Sequence, residues 1–202
     1  MQTENNTLID ELLAITERAT EKARKFRELP EDQLNFREAA EKWSILECIE
    51  HLNRYGEFYL PEIERSILGA SPKKSAFKSG VIGNWFANLM KVKNGRIVKM
   101  KTPGDKNPIG SKLTTLTLDR FLKQQEMLKS LLNQARNADL TKTKVPISLT
   151  RFIKLRLGDT LRFFTYHIER HVIQAERVRD SGLRIQDSRF KIQDSKFKGA
   201  LI

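Results

Sequence analysis

Apolar residues recur at three- and four-residue steps in four stretches of this chain, the spacing that lines one face of a helix. The first stretch predicts a helix from about Thr7 to Phe26, with Leu8, Leu12, Ile15, Ala19 and Ala23 on one stripe. Thr7 followed by Asp10 reads as a capping box with a shortened acid. The second stretch opens at Trp43 and runs to about Leu68 through Ile45, Cys48, Ile49, Leu52, Tyr55, Tyr59 and Ile63. Ser44 is placed to cap it, Glu47 stands at the third helical position, and Trp43 with Cys48 fits a hydrophobic staple. Pro61 predicts a kink or break near Leu60, because proline has no amide proton and crowds the preceding turn.

A third helix is predicted from Leu118 to about Asn137, capped by Thr117, with Phe121, Leu128, Leu131, Leu132 and Ala135 on its apolar face beside Leu122 and Met127. The fourth runs from about Asp159 to Asp180 with the stripe Leu161, Phe164, Ile168, His171, Ala175 and Val178. Gly95 to Met100 and Val145 to Leu157 could be extended, but no β-rich run competes with the helices. Four amphipathic helices of this length predict an all-α fold, a four-helix bundle over residues 1–183. The gap of about 40 residues between the second and third helices predicts a long crossover in place of simple up-down-up-down topology.

Composition narrows the class. The chain has 202 residues and one cysteine, which suits a single domain with its own core and excludes an internal disulfide. No apolar run approaches the ~20 residues of a membrane span. The acidic, amphipathic start lacks the basic and apolar regions of a signal peptide, so a soluble cytoplasmic protein is expected. The net charge of +12 is unevenly spread: −6 over residues 1–70, +9 over 71–112, +6 over 113–183 and +3 over 184–202. The excess therefore sits mainly in the crossover segment 71–112, read as a basic, poorly helical loop, and in the tail. That tail, 184–202, holds the tandem pair RIQDSRF and KIQDSKF. Two copies are too few for a repeat architecture, and the tail is expected to be a low-complexity extension, helical at most in part.

Chemistry is concentrated in three histidines, His51, His167 and His171. His167 and His171 are one turn apart on the fourth helix, so their rings share a face, and His171 falls within the apolar stripe. A lone helical histidine is most simply a packed or surface residue. Two imidazoles turned toward a core are costly when unpaired or charged, and a shared metal ion removes that cost. His51, flanking the stripe of the second helix, is placed to complete the set, because bundles build metal sites from facing helices. Three neutral imidazoles with an open fourth position match a catalytic site more than a structural one.

The segments KWSILECIEHL at 42–52 and LRLGDTLRFFTYHIERHVIQAERV at 155–178 resemble the DinB-like superfamily, which includes the YfiT-type metal-dependent hydrolases and related thiol-dependent S-transferases. The matching positions are Trp43, Ser44, His51, Leu52, His167, His171, Gln174 and Arg177. The resemblance implies a bundle with that superfamily's crossed helix order and a long crossover between helices 2 and 3. It also implies a divalent metal on the three histidines, a small-molecule substrate and a homodimer. Imidazole ligands suit zinc and nickel first, with copper or iron as further choices. A low-molecular-weight thiol is a further expected cofactor on the same ground.

Other residues carry competing readings. Glu47 could reach a metal as a carboxylate, but its capping position gives it a structural role. Tyr55 and Tyr166 adjoin the ligand faces and could line a cavity. Gln174 is placed to support a ligand or to be a buried helix amide. Glu50 and Glu169 read as surface charges, and Cys48, at an apolar position with no free base, reads as core. A metal of this kind can lower the pKa of water to about 7 for hydrolysis, or deprotonate a thiol for transfer. Segment 71–112 is expected to hold a lid whose charge favours an anionic substrate. Two other functions stand beside the enzyme reading. One is a basic helical module for nucleic acid or another polyanion, resting on Phe77, Trp85 and Phe86 among lysines, without any recognisable nucleic-acid motif. The other is a non-catalytic metal-binding bundle.

Overall fold

The computed structural model describes residues 2–72, 76–93, 95–98 and 100–199, with backbone alone for 151 and 185–199. Six α-helices are present among the described residues: α1 (Asn5–Phe26), α2 (Glu31–Leu34), α3 (Ile45–Leu68), α4 (Val81–Met90), α5 (Leu116–Ala135) and α6 (Leu157–Gly199). Four short strands accompany them: β1 (Gln2–Glu4), β2 (Ala76–Lys78), β3 (Lys144–Ile147) and β4 (Thr150–Arg156). The protein is mostly helical, and the two antiparallel pairs β1–β2 and β3–β4 correct the all-α expectation. No helix among the described residues is long and apolar enough to cross a membrane.

The four long helices pack as a ring in which α1 and α3 each lie against both α5 and α6. The periodic stripes explain this. Leu8, Leu12, Ala23 and Phe26 of α1, Ile45, Ile49 and Ile63 of α3, Phe121, Leu128 and Leu132 of α5, and Leu161, Phe164 and Ala175 of α6 are all buried in one core. Leu122 and Met127 pack against its edge. Thr16 and Thr20 lie within the α1 stripe and return their hydroxyls to the carbonyls of Leu12 and Thr16, both at 2.8 Å, which makes them tolerable there.

Helix ends depart from expectation where tertiary contacts intervene. α1 starts at Asn5, straight out of β1, so Thr7 is already helical and no side chain caps it. α5 begins at Leu116, and Thr115, the residue before it, makes no side-chain cap. α3 passes unbroken through Pro61. That residue faces solvent, where water can satisfy the carbonyl left without its helical partner. α6 continues through the tandem repeat to Gly199, so the tail is helical beyond what was expected.

Segment 71–112 is also more structured than a loop. It contains β2, the ten-residue α4 and a 3₁₀ turn at Gly104–Lys106. Asp159, fully buried at the start of α6, holds it down. The carboxylate accepts from the Gly80 amide at 2.8 Å, from the Ser79 hydroxyl, and from Arg162 at 3.3 Å. Arg162, itself 2% exposed, also donates to Ser79 Oγ and Asn84 Oδ1 at 3.1 Å each. Gly83 permits this approach, because a Cβ there would stand 2.5 Å from the Asp159 side chain. α4 is thereby seated on α6, above the turns that carry two of the histidines.

Candidate metal centre

His51 rides on α3, and its position follows from how that helix begins. Ser44 Oγ accepts from the Glu47 amide at 3.1 Å, and Glu47 accepts from the Ser44 amide at 2.9 Å, the complete capping box the sequence suggests. Glu47 further accepts from Arg37 Nε at 2.9 Å and from the Gly110 amide at 2.7 Å. Its carboxylate is committed to the helix start and does not line the cavity by the histidines. One turn onward, His51 projects toward α6, where His167 and His171 share a face.

The three imidazoles are buried, and their ligand nitrogens lie within 4.8 Å of one another. His51 Nε2 and His167 Nε2 are 3.2 Å apart. The protons on two of the rings can be placed. His51 Nδ1 lies 2.7 Å from the Lys106 carbonyl oxygen, which can only accept, so the proton is on Nδ1 and Nε2 keeps its lone pair. His171 Nδ1 donates to Gln174 Oε1 at 2.9 Å, with the same consequence. His167 Nδ1 is buried without a hydrogen-bond partner among the described residues. Phe163 stacks on His167 at 5.8 Å between centroids, and Tyr55 packs on the same ring at 4.5 Å. Trp43 lies 4.7 Å from His51 and 5.7 Å from His171, its indole N–H held by Asn107 Oδ1 at 3.0 Å.

Electrostatics keeps all three rings neutral. Burial pushes His51 down to about 4; its Lys106 hydrogen bond opposes the shift, and the charges of Arg54, Lys106 and Arg170 add to it. Burial holds His167 well below the ordinary range, reinforced by His171, His51 and Arg170. His171 behaves alike, with burial first and then His51 and Arg170, against the Gln174 hydrogen bond. Neutral imidazoles with converging lone pairs are the donor set a divalent transition metal takes. Two nitrogens on one tetrahedral zinc at about 2.0–2.1 Å stand roughly 3.3 Å apart, which the His51–His167 separation meets. The residues fit the metal.

A cavity of about 200 Å³ opens beside the cluster. Tyr55, Tyr59 and Phe163 wall its helical side, the crossover brings Phe86, Met90 and the run Met100–Pro103, and the β3–β4 hairpin brings Ile147 to Leu149 and Leu155. Segment 71–112 thus supplies part of the cavity wall and the Lys106 carbonyl that meets His51.

The remaining candidates divide. Gln174 and Tyr55 stand beside the histidines. Tyr166 does not line the cavity: one residue before His167 it is turned about 100° round the helix, and its hydroxyl donates to Glu11 on α1 at 3.0 Å. Leu52 is core, and Arg177 reaches the Gly95 carbonyl. Cys48 is fully buried, and burial, with the Glu47 charge, pushes its thiol well above the usual range, as a core residue requires. Glu169 pairs with Arg18 at 3.7 Å. Glu50 corrects the surface reading: it is 7% exposed and pairs with Arg54 at 3.1 Å and with Arg120 of α5. Arg170 was missed. It lines the cavity at 5% exposure and donates to the carbonyls of Leu89 and Val98. Its place between His167 and His171 in the chain is the signal that could have found it.

A mostly helical protein with three buried, neutral histidines drawn from two facing helices is the class these observations define. A family model of the DinB superfamily matches residues 12–175, and the chain belongs to that superfamily. No curated protein and no solved structure matches it.

Proposed function

We propose that this protein is a metal-dependent transferase that activates a small thiol on His51, His167 and His171, within a four-helix bundle of the DinB type. The observation that carries the proposal is the 3.2 Å approach of two imidazole nitrogens, one of them unprotonated because the Lys106 carbonyl holds the proton on the far side of its ring. A divalent metal there would supply Lewis acidity and lower the pKa of a thiol or water in its open position.

The chain's own residues orient and exclude. The Lys106 carbonyl and Gln174 hold the two Nδ1 protons away from the centre. Phe163, Tyr55 and Trp43 fix the ring planes and keep bulk water from them. Tyr55, pushed up to about 12 by burial, stays protonated at neutral pH and can donate a hydrogen bond without taking a proton. No Asp or Glu lines the cavity among the described residues, and the histidines are occupied as donors. That absence of a base favours a thiol, whose ordinary pKa of about 8.5 lies far nearer neutrality than that of water, about 15.7. The thiol proton passes to solvent, the sulfur pair forms a bond to an electrophilic carbon, and the leaving group departs with its own pair.

The polyanion reading loses its aromatic support. Phe77 is fully buried and Phe86 lines the cavity, which leaves Trp85 alone exposed of the three. The test is thioether formation from 2-mercaptoethanol and an alkyl iodide, followed by mass spectrometry with zinc- or nickel-loaded protein. The proposal expects turnover above metal-free protein that is lost in His51→Ala. Ester hydrolysis without thioether formation would instead assign the hydrolase chemistry.

A further inference from the structure

Resting on the reading of this cavity as the substrate site, we infer that its substrate is a small amphiphilic anion: one anionic head on an apolar body. Two observations carry the inference. The first is a charge imbalance. Arg170 is 5% exposed, it lines the cavity, and no carboxylate pairs with it among the described residues; its guanidinium meets only backbone carbonyls. Lys101 adds a second cation at the wall. No Asp or Glu lines the cavity among the described residues, so neither cation has a carboxylate beside it there. A buried cation without a counter-ion is costly, and a divalent metal would deepen the deficit. An anionic ligand head supplies the missing charge.

The second observation is the apolar part of the lining. Phe86, Phe163, Leu155, Ile147, Met90 and Tyr59 form it, contributed by α3, α4, α6 and the β3–β4 hairpin. These side chains offer an apolar body a continuous surface. Met100 and Leu149, 46% and 64% exposed, carry that surface outward to solvent beside Lys101. A fully hydrophilic anion would leave the apolar wall wet, and a neutral hydrophobe would leave Arg170 unpaired. Only a molecule with both parts satisfies both.

The probe is a series of straight-chain carboxylates from acetate to decanoate, with 1-octanol as the neutral control, titrated by calorimetry into metal-free and zinc-loaded protein. Affinity is expected to rise by up to roughly fourfold per methylene until the cavity is filled. Octanoate should bind at least about tenfold more tightly than 1-octanol, the worth of one charge-assisted hydrogen bond. Arg170→Gln should abolish that preference for the acid while leaving the dependence on chain length. If Arg170→Gln does not fold, the wild-type series decides alone. Equal affinity for acetate and octanoate, equal affinity for octanoate and octanol, or no binding at all would overturn the inference. Chain-length dependence in metal-free protein, together with failure to bind zinc, would support this inference while sinking the metal reading.

Discussion

His51 Nε2 and His167 Nε2 lie 3.2 Å apart although 116 positions separate the two residues in the chain. Such an approach between helices costs free energy unless something is gained by it, since both rings are buried and both are held neutral. A hydrogen bond between the two would use one lone pair and leave that of His171 Nε2 outside the arrangement. One metal would use all three.

Gln174 is expected to act through His171. Gln174→Leu removes the acceptor for Nδ1–H and should weaken metal affinity by about 10–100-fold, while Gln174→Glu should retain it. Competition with a chelating dye gives the affinity, and unchanged far-UV circular dichroism shows that the fold survives.

The metal-free protein should lose stability in mild acid. Unfolded histidines titrate near 6.5, whereas folded His51 does not take a proton until about 4, and His167 and His171 are shifted in the same direction. The unfolded state therefore binds more protons as pH falls from 6.5 to 4, and stability drops across that window. His51 alone accounts for about 3 kcal/mol. Urea titrations at pH 7, 5.5 and 4.5 check this. A flat midpoint would show that the rings are not held neutral.

Asp159 is the anchor of α4. Asp159→Ala removes acceptors from Gly80, Ser79 and Arg162 and leaves a buried guanidinium without its carboxylate. Breaking such a pair costs about 3–5 kcal/mol, measurable as a lower urea midpoint. Proteolysis within 71–112 should quicken in the same variant.

Ser44→Ala should cost about 0.5–2 kcal/mol, the usual worth of an N-cap, seen as a fall in the thermal midpoint. A change within error would mean that Arg37 and Gly110 hold Glu47 in place without Ser44.

The stripes of α1, α3, α5 and α6 and the capping box at Ser44 were legible because they depend on residues within one or two turns. His51, His167 and His171 were legible as a group because two share a helix face and one faces them. The rest depends on contacts remote in sequence. α4 is a helix of mostly apolar residues in a basic segment, and its seat is the Asp159–Arg162 pair some 80 positions away. The Lys106 contact is made by a backbone carbonyl, which no side-chain pattern reports. Glu50 read as a surface charge because Arg120, its partner on α5, is 70 residues distant. Thr7 looked like a cap because the pairing of β1 with β2, which starts the helix earlier, joins residues more than 70 positions apart.

The central claim is that His51, His167 and His171 hold one divalent metal. Elemental analysis of protein purified without chelator, beside His167→Ala, tests it most directly. One equivalent of zinc, nickel or another divalent transition metal per chain in the wild type, and its loss in the variant, is the expected result. Wild-type protein that carries no metal, and takes none up after dialysis against zinc or nickel, would contradict it.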